Sequence, residues 1–209
     1  IYISNHSYGA IRGWDYDYDE NEWYWWGDEN FSTDEDYLFG FYNYKAKQID
    51  AISYAAPNYL IVVAAGNDRN DGPSKAVEHY IQENNEWVKS EVERNQDGND
   101  DGFDCLSGHA LSKNVLTVGA VKKNVWNIFE KDFNITSFSS FGPTDDGRIK
   151  PDIVAPGYEL FSSSSDGIDK YCTKSGTSMS TPVVTGSIAL IREYYLNNYS
   201  EQPLSSTLK

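Results

Sequence analysis

The chain has 209 residues, of which 23% are charged, 39% hydrophobic and 15% aromatic, with 16 Tyr and 6 Trp. That length suits one domain with a substantial core, and the composition excludes a disordered chain. A formal net charge of -15 argues against a nucleic-acid partner, whose phosphates would be repelled. No run of about 18 apolar residues exists, so no membrane span is expected.

The acid is unevenly spread. Residues 15–36 carry ten carboxylates and no Lys or Arg, and residues 78–104 carry nine against Lys89 and Arg94. Two readings stay open: a solvated surface that favours solubility, or a preference for cationic substrates. Cys105 and Cys172 lack metal-type spacing, so no metal centre is expected from them; either a disulfide or two free thiols fits the pattern.

In chain order, residues 1–4 read as a short buried strand that turns at Ser7-Tyr8-Gly9. Residues 14–26 hold seven aromatics among thirteen positions with no sustained period, and read as a surface loop. Tyr37, Phe41, Tyr44, Gln48, Ile52 and Ala55 recur at three and four, which predicts a helix from Asp34 as its cap to Ala56, stopped by Pro57. Leu60-Ile-Val-Val-Ala64 is an apolar run of the kind that forms a strand buried on both faces. Residues 76–94 are expected to be helical, ending in an Asp- and Gly-rich segment. Residues 115–121 form a second buried strand, and residues 133–141 and 150–155 shorter ones. A loop is expected to open at 162–165. A long apolar helix runs from Thr177 to about Asn197, and Leu204-Ser-Ser206 looks like the start of another. Strands alternating with helices imply an α/β fold: a three-layer parallel sheet with helices on both faces, truncated at both ends. Acidic insertions sit near 12–36 and 68–104.

Chemistry concentrates at two places. Ser175-Gly-Thr-Ser-Met-Ser-Thr-Pro182 puts Ser178 in the first turn of the long helix, where its own N–H is unpaired and the helix dipole favours negative charge. Ala64-Ala-Gly-Asn67 follows a buried strand, so Asn67 sits at the strand's carboxyl end, where α/β folds place their sites. The Ser178 N–H and the Asn67 amide would make a two-donor oxyanion hole beside a hydroxyl.

With these residues in place the sequence resembles the subtilase family of subtilisin-like serine peptidases. Ser4-Asn-His-Ser-Tyr-Gly9, Val63-Ala-Ala-Gly-Asn67, Val115-Leu-Thr-Val-Gly-Ala-Val121, Ser139-Ser-Phe-Gly-Pro143, Lys150-Pro-Asp-Ile-Val-Ala-Pro-Gly157 and Gly176-Thr-Ser-Met-Ser-Thr-Pro182 stand in the family's order. The resemblance implies a peptidase in which Ser178 attacks the peptide carbonyl and Asn67 stabilises the oxyanion. Ser7, Tyr8 and Gly9 would pair with the substrate backbone, while Ala64, Ala65, Gly66 and Thr177 would line the site. The family's catalytic Asp and His motifs have no counterpart here: His6, His79 and His109 all lie in other contexts. Both groups are expected ahead of Ile1, in a missing N-terminal part of the same protein, and this chain by itself is expected to be inert. A peptide-binding pseudopeptidase without a working base is the alternative.

Asp97, Asn99 and Asp101 have the odd spacing of a calcium loop, but the twelfth position is Gly108 rather than Glu. The reaction expected requires no cofactor, and calcium remains open against a solvated acidic turn. Residues 14–26 are expected to form a packed flap on the cleft wall, with a carbohydrate platform of Trp23, Trp25 and Trp26 as the competing reading. Family resemblance also implies an extracytoplasmic location, secreted or in the cell envelope.

Overall fold

The computed structural model describes residues 2–99, 101–122 and 133–199; the helix start expected at 204–206 lies outside them. Strand β1 (Tyr2–His6) runs into a hairpin of β2 (Trp14–Asp17) and β3 (Glu22–Trp25), whose turn closes on Asn21 at φ 60°. Thus 14–26 is a hairpin and not an aperiodic loop. Helix α1 spans Tyr44–Ala55 and starts nine residues later than expected, because Asn43 is its cap: Oδ1 accepts the N–H of Lys45 at 3.0 Å and of Ala46 at 3.2 Å. Gly40, at φ 69°, keeps the preceding segment out of helix.

Strand β4 (Tyr59–Ala64) follows. The helix expected over 76–94 is absent. Instead β5 (His79–Glu83) and β6 (Glu86–Ser90) form an antiparallel hairpin. Its two-residue turn, Asn84-Asn85, has both φ values positive, at 50° and 66°, the geometry that suits strand twist and that Asn tolerates. After β7 (Leu116–Lys122) come β8 (Asn134–Ile135), β9 (Ile153–Pro156) and a hairpin of β10 (Leu160–Ser163) and β11 (Tyr171–Lys174), whose connection is the loop expected to open at 162–165 and begins at Ser164. Helix α2 spans Thr177–Asn198.

The first sheet has the order β1-β4-β7-β8, with β9 also on β7; β1, β4, β7 and β9 are parallel. Alternation along β4 feeds two cores. Leu60 and Val62 pack with Val118, Ala155 and Val184 of α2, whereas Ile61 and Val63 pack with Val115 and Ile49 of α1. Helices therefore cover both faces, and the expected three-layer α/β architecture is present. Each such side chain contributes roughly 1.5–3 kcal/mol by leaving water. Only the inward stripe of α2 is buried: Val184 is covered, but Leu190 and Ile191 are exposed, so the apolar run of this helix does not mark burial along its whole surface.

The two acidic insertions build a second sheet together, in the order β2-β3-β5-β6. Its middle joint, β3 with β5, is parallel and registers Tyr24 with Tyr80 and Trp25 with Ile81. Trp14, Trp25 and Ile81 form its core, flanked by Trp23 and Val88. The Arg94 guanidinium lies 4.1 Å from the Trp25 ring and bonds His79 Nε2 at 2.7 Å. Buried acids anchor the sheet: Asp36 accepts the Gly13 N–H at 3.1 Å and Asp97 the Trp14 N–H at 2.9 Å. Because Trp25 is fully buried, the three-tryptophan carbohydrate platform is not formed.

Candidate active site

Helix α2 begins without a cap of its own. Gly176 occupies the cap position at φ 149° and brings no side chain. Asn67, arriving from the end of β4, supplies the acceptor instead: its Oδ1 takes the Thr177 N–H at 2.8 Å. A backbone N–H can only donate, so the amide oxygen must face Thr177 and Nδ2 is turned elsewhere. A side-chain carbon at 176 would stand 3.5 Å from that Nδ2, so the amide nitrogen lies against the glycine that precedes the helix. Thr177 is fully buried, and its hydroxyl lies 3.1 Å from Gly66 O, 3.0 Å from Asn67 Oδ1 and 3.3 Å from the Gly66 N–H. One threonine thus clasps the end of β4 to the start of α2.

Ser178 follows this clasp. Its Oγ donates to Ser7 O at 3.3 Å, and Ser7 Oγ donates to Ser178 O at 3.0 Å. Its N–H belongs to the first-turn donors that no helical carbonyl reaches. Tyr8 and Gly9 are exposed, and their backbone groups make no hydrogen bonds among the described residues, which leaves an extended segment open to an added strand.

No histidine contacts Ser178 among the described residues. His6 bonds Ser4 Oγ at 2.8 Å and Tyr8 OH at 2.6 Å, and His79 bonds Val77 O and Arg94. His109 packs edge-on against Tyr8. Burial lowers the pKa of all three, so each favours the neutral ring.

Eight of the nine predicted site residues, all but Ser7, line one cavity of about 240 Å³. Trp14 and Asp15 of the second sheet also line it, in accord with a flap on the cleft wall. The sequence reasoning missed Ser140, Asp68 and Asp71. Ser140 Oγ lies 3.0 Å from the Asp68 N–H and donates to Asp68 Oδ2 at 3.2 Å, which holds that carboxylate beside the site. The signal available was the acid directly after Asn67.

The three residues with calcium-type spacing each have a hydrogen-bond partner. Asp97 is committed to Trp14, Asn99 Nδ2 donates to Glu35 at 3.0 Å, and Asp101 accepts the Phe103 N–H at 3.1 Å. Among the described residues no group of three or more His, Cys, Asp or Glu converges to hold a metal. Both cysteines are free, and Cys105 is buried with its thiol pushed up to about 12, by burial first.

Comparison with known proteins follows this geometry. The sequence pattern of the subtilase family matches residues 1–209. The Serine protease/ABC transporter B family protein tagD of Dictyostelium discoideum is 27% identical over 77% of this chain, which spans 12% of that protein. The C5a peptidase of Streptococcus pyogenes is 45% identical over 35% of this chain and 6% of its own length. Among solved structures, a mutant of the protease domain of PatA aligns with a TM-score of 0.54 at 20% identity, covering 99% of this chain and 49% of that one. The Clostridium perfringens CspB protease aligns with a TM-score of 0.52 at 19% identity, covering 80% and 55%; at such identities the likeness is one of fold. The chain therefore spans a small part of its curated relatives and about half of these structures. With its pattern matched from end to end, the chain belongs to the subtilase family.

Proposed function

We propose that this chain carries the nucleophile half of a serine endopeptidase. Ser178 Oγ attacks the carbonyl carbon of a peptide bond while its proton passes to a histidine base, oriented by an aspartate, in the part of the protein expected ahead of Ile1. The carbonyl oxygen becomes an oxyanion held by the Ser178 N–H and Asn67 Nδ2. Collapse expels the amine, which takes the proton back, and leaves an acyl-enzyme on Ser178; water then attacks that ester and releases the acid. The reaction as drawn uses protein groups alone and needs no cofactor. The substrate is a polypeptide, bound as an added strand along Ser7, Tyr8 and Gly9, with Ala64, Ala65 and Gly66 beside its side chain.

The single observation that carries this is the pinning of Asn67 Oδ1 by Thr177, which frees the amide N–H₂ beside an unpaired helix-start N–H. The runner-up, a peptide-binding pseudopeptidase, draws on Ser178 Oγ donating to a carbonyl rather than to a base. A fluorophosphonate probe separates the two. Ser178 of the full-length protein should label, the Ser178→Ala variant should not, and residues 1–209 alone should not. Peptide retention by full-length protein that never labels would favour the pseudopeptidase. An extracytoplasmic location rests on family resemblance; cell fractionation with an antibody to this domain tests it, and a purely cytosolic signal would refute it. No helix of the described residues is long and apolar enough to cross a membrane.

A further inference from the structure

The cavity beside Ser178 has a charge imbalance. Asp15, Asp68 and Asp71 line it, and no Lys or Arg does. Of the nearest cations in sequence, Arg12 donates through Nη1 to Ile11 O at 3.2 Å and its charge acts on Asp68 and Asp36 without an ion-pair contact, while Arg69 Nη1 donates to Thr136 O at 3.5 Å with its guanidinium 4.4 Å from the Phe141 ring. His109, also on the wall, is held neutral by burial.

Asp68 has the Ser140 hydroxyl, but the carboxylates of Asp15 and Asp71 have no hydrogen-bond or ion-pair partner among the described residues. The Asp71 carboxyl is pushed up to about 7 by burial, then by Asp68 and Asp15; Asp68 is pushed up to about 6 by burial, with Arg12 opposing. Asp71 is exposed and Asp15 half-buried, so both carboxylates are open to an incoming cation, and acids gathered on one wall of a cleft raise the local attraction for positive charge. Beside these acids the wall is apolar, through Trp14, Val63 and Ala65, which suits an alkyl stem leading to a charged head. At about 240 Å³ the space far exceeds the room for one water, roughly 10–15 Å³.

Resting on the peptidase reading above, we propose that this cavity receives a lysine or arginine side chain of the substrate residue preceding the cut, with Asp15, Asp68 and Asp71 as its charge partners. These acids determine specificity and take no part in bond breaking.

The test measures binding, so that it survives failure of the peptidase reading. Full-length Ser178→Ala protein is titrated with product-like peptides that differ only in a C-terminal Lys, Arg, norleucine or Leu. Lys and Arg should bind about tenfold tighter than norleucine, the gain expected when a charged hydrogen-bonded pair forms. Adding Asp15→Asn and Asp71→Asn should bring the ratio below about threefold, whereas Asp19→Asn, on an exposed turn outside the cavity, should leave it unchanged. Equal or tighter binding of norleucine, a preference that survives the double change, or no binding by any peptide would overturn the proposal. A lysine preference in binding, together with no hydrolysis by wild-type protein, would sink the peptidase reading alone.

Discussion

The clasp at the start of α2 and the added acidic sheet solve the same problem, holding polar groups beside a cleft, by opposite means. At the clasp, neighbours in the motifs do the work: Thr177 reaches Gly66 and Asn67 through a handful of short bonds, all within two segments of the parallel core. In the added sheet, strands more than fifty residues apart are joined by two register pairs and by aromatic packing, as in the Tyr24–Tyr80 stack. Their titration also differs. Around the added sheet, desolvation raises Asp36, Asp71 and, strongly, Asp97. On a loop of the core domain, Asp146 is lowered to about 2, mainly by the Thr144 hydroxyl and then by Arg148. Precision at the site is thus local, whereas the wall of the cleft depends on long-range assembly and on acids that resist ionisation.

The largest effect should come from removing the second sheet's central side chain. Trp25→Ala should cost about 3–5 kcal/mol, the usual loss for a buried aromatic, read by urea denaturation. A loss below about 1 kcal/mol would mean that the sheet has no core of its own. Next, Asn67→Ala in the full-length protein should lower kcat about 10²- to 10³-fold while costing only about 1 kcal/mol of stability, the value of one helix-cap bond. Unchanged kcat with the same stability loss would make Asn67 a cap and nothing more.

The smallest effect distinguishes the two regions by pH. Asp68, Asp71 and Asp97 have folded-state pKa values above the ordinary 3.8, so folding favours their protonated forms. Their contribution to stability is complete below pH 3.8 and, for Asp68 and Asp71, is lost as pH rises through about 6 to 7; Asp97 acts in the same direction. The melting temperature should therefore be higher at pH 5.5 than at pH 8, by roughly a few degrees for a chain of this size. Asp146 acts in the opposite sense, but only below pH 4. A flat profile between pH 5.5 and 8 would show that the acidic wall is already neutralised by solvent or ions. Over the same range the lysine preference should weaken towards acid, as Asp71 and Asp68 gain protons; Asp15, Asp36, Asp97 and Arg12 are the other charged groups acting on that pair.

What the sequence disclosed follows the same divide. The strands around Leu60-Ile-Val-Val-Ala64 and residues 115–121 were legible because both faces are buried and the apolar run is continuous. That the end of β4 and the start of α2 come together was legible because the two small-residue motifs around Asn67 and Ser178 each follow or open a buried element. The hairpin of β5 and β6 was misread as a helix because one of its inward positions is His79, a polar residue that hides the period of two and is satisfied by Arg94 from beyond the strands. The Asn84-Asn85 pair was the clue available, since adjacent asparagines between alternating residues favour a tight turn. The start of α1 was misplaced because Asp34 and Asn43 are equally good caps, and only the surrounding contacts decide between them. Asp71 and Asp15 could not be paired from sequence, since the cavity that joins them is made by tertiary packing.

The parallel joint between β3 and β5 has a consequence for anyone recombining this domain. Deleting the later insertion would strip β3 of its neighbour, leaving the backbone beside Tyr24 and Trp25 as a raw aromatic edge that invites self-association. The earlier insertion cannot serve as a portable module by itself; the two stretches must be moved, shortened or lost as a pair.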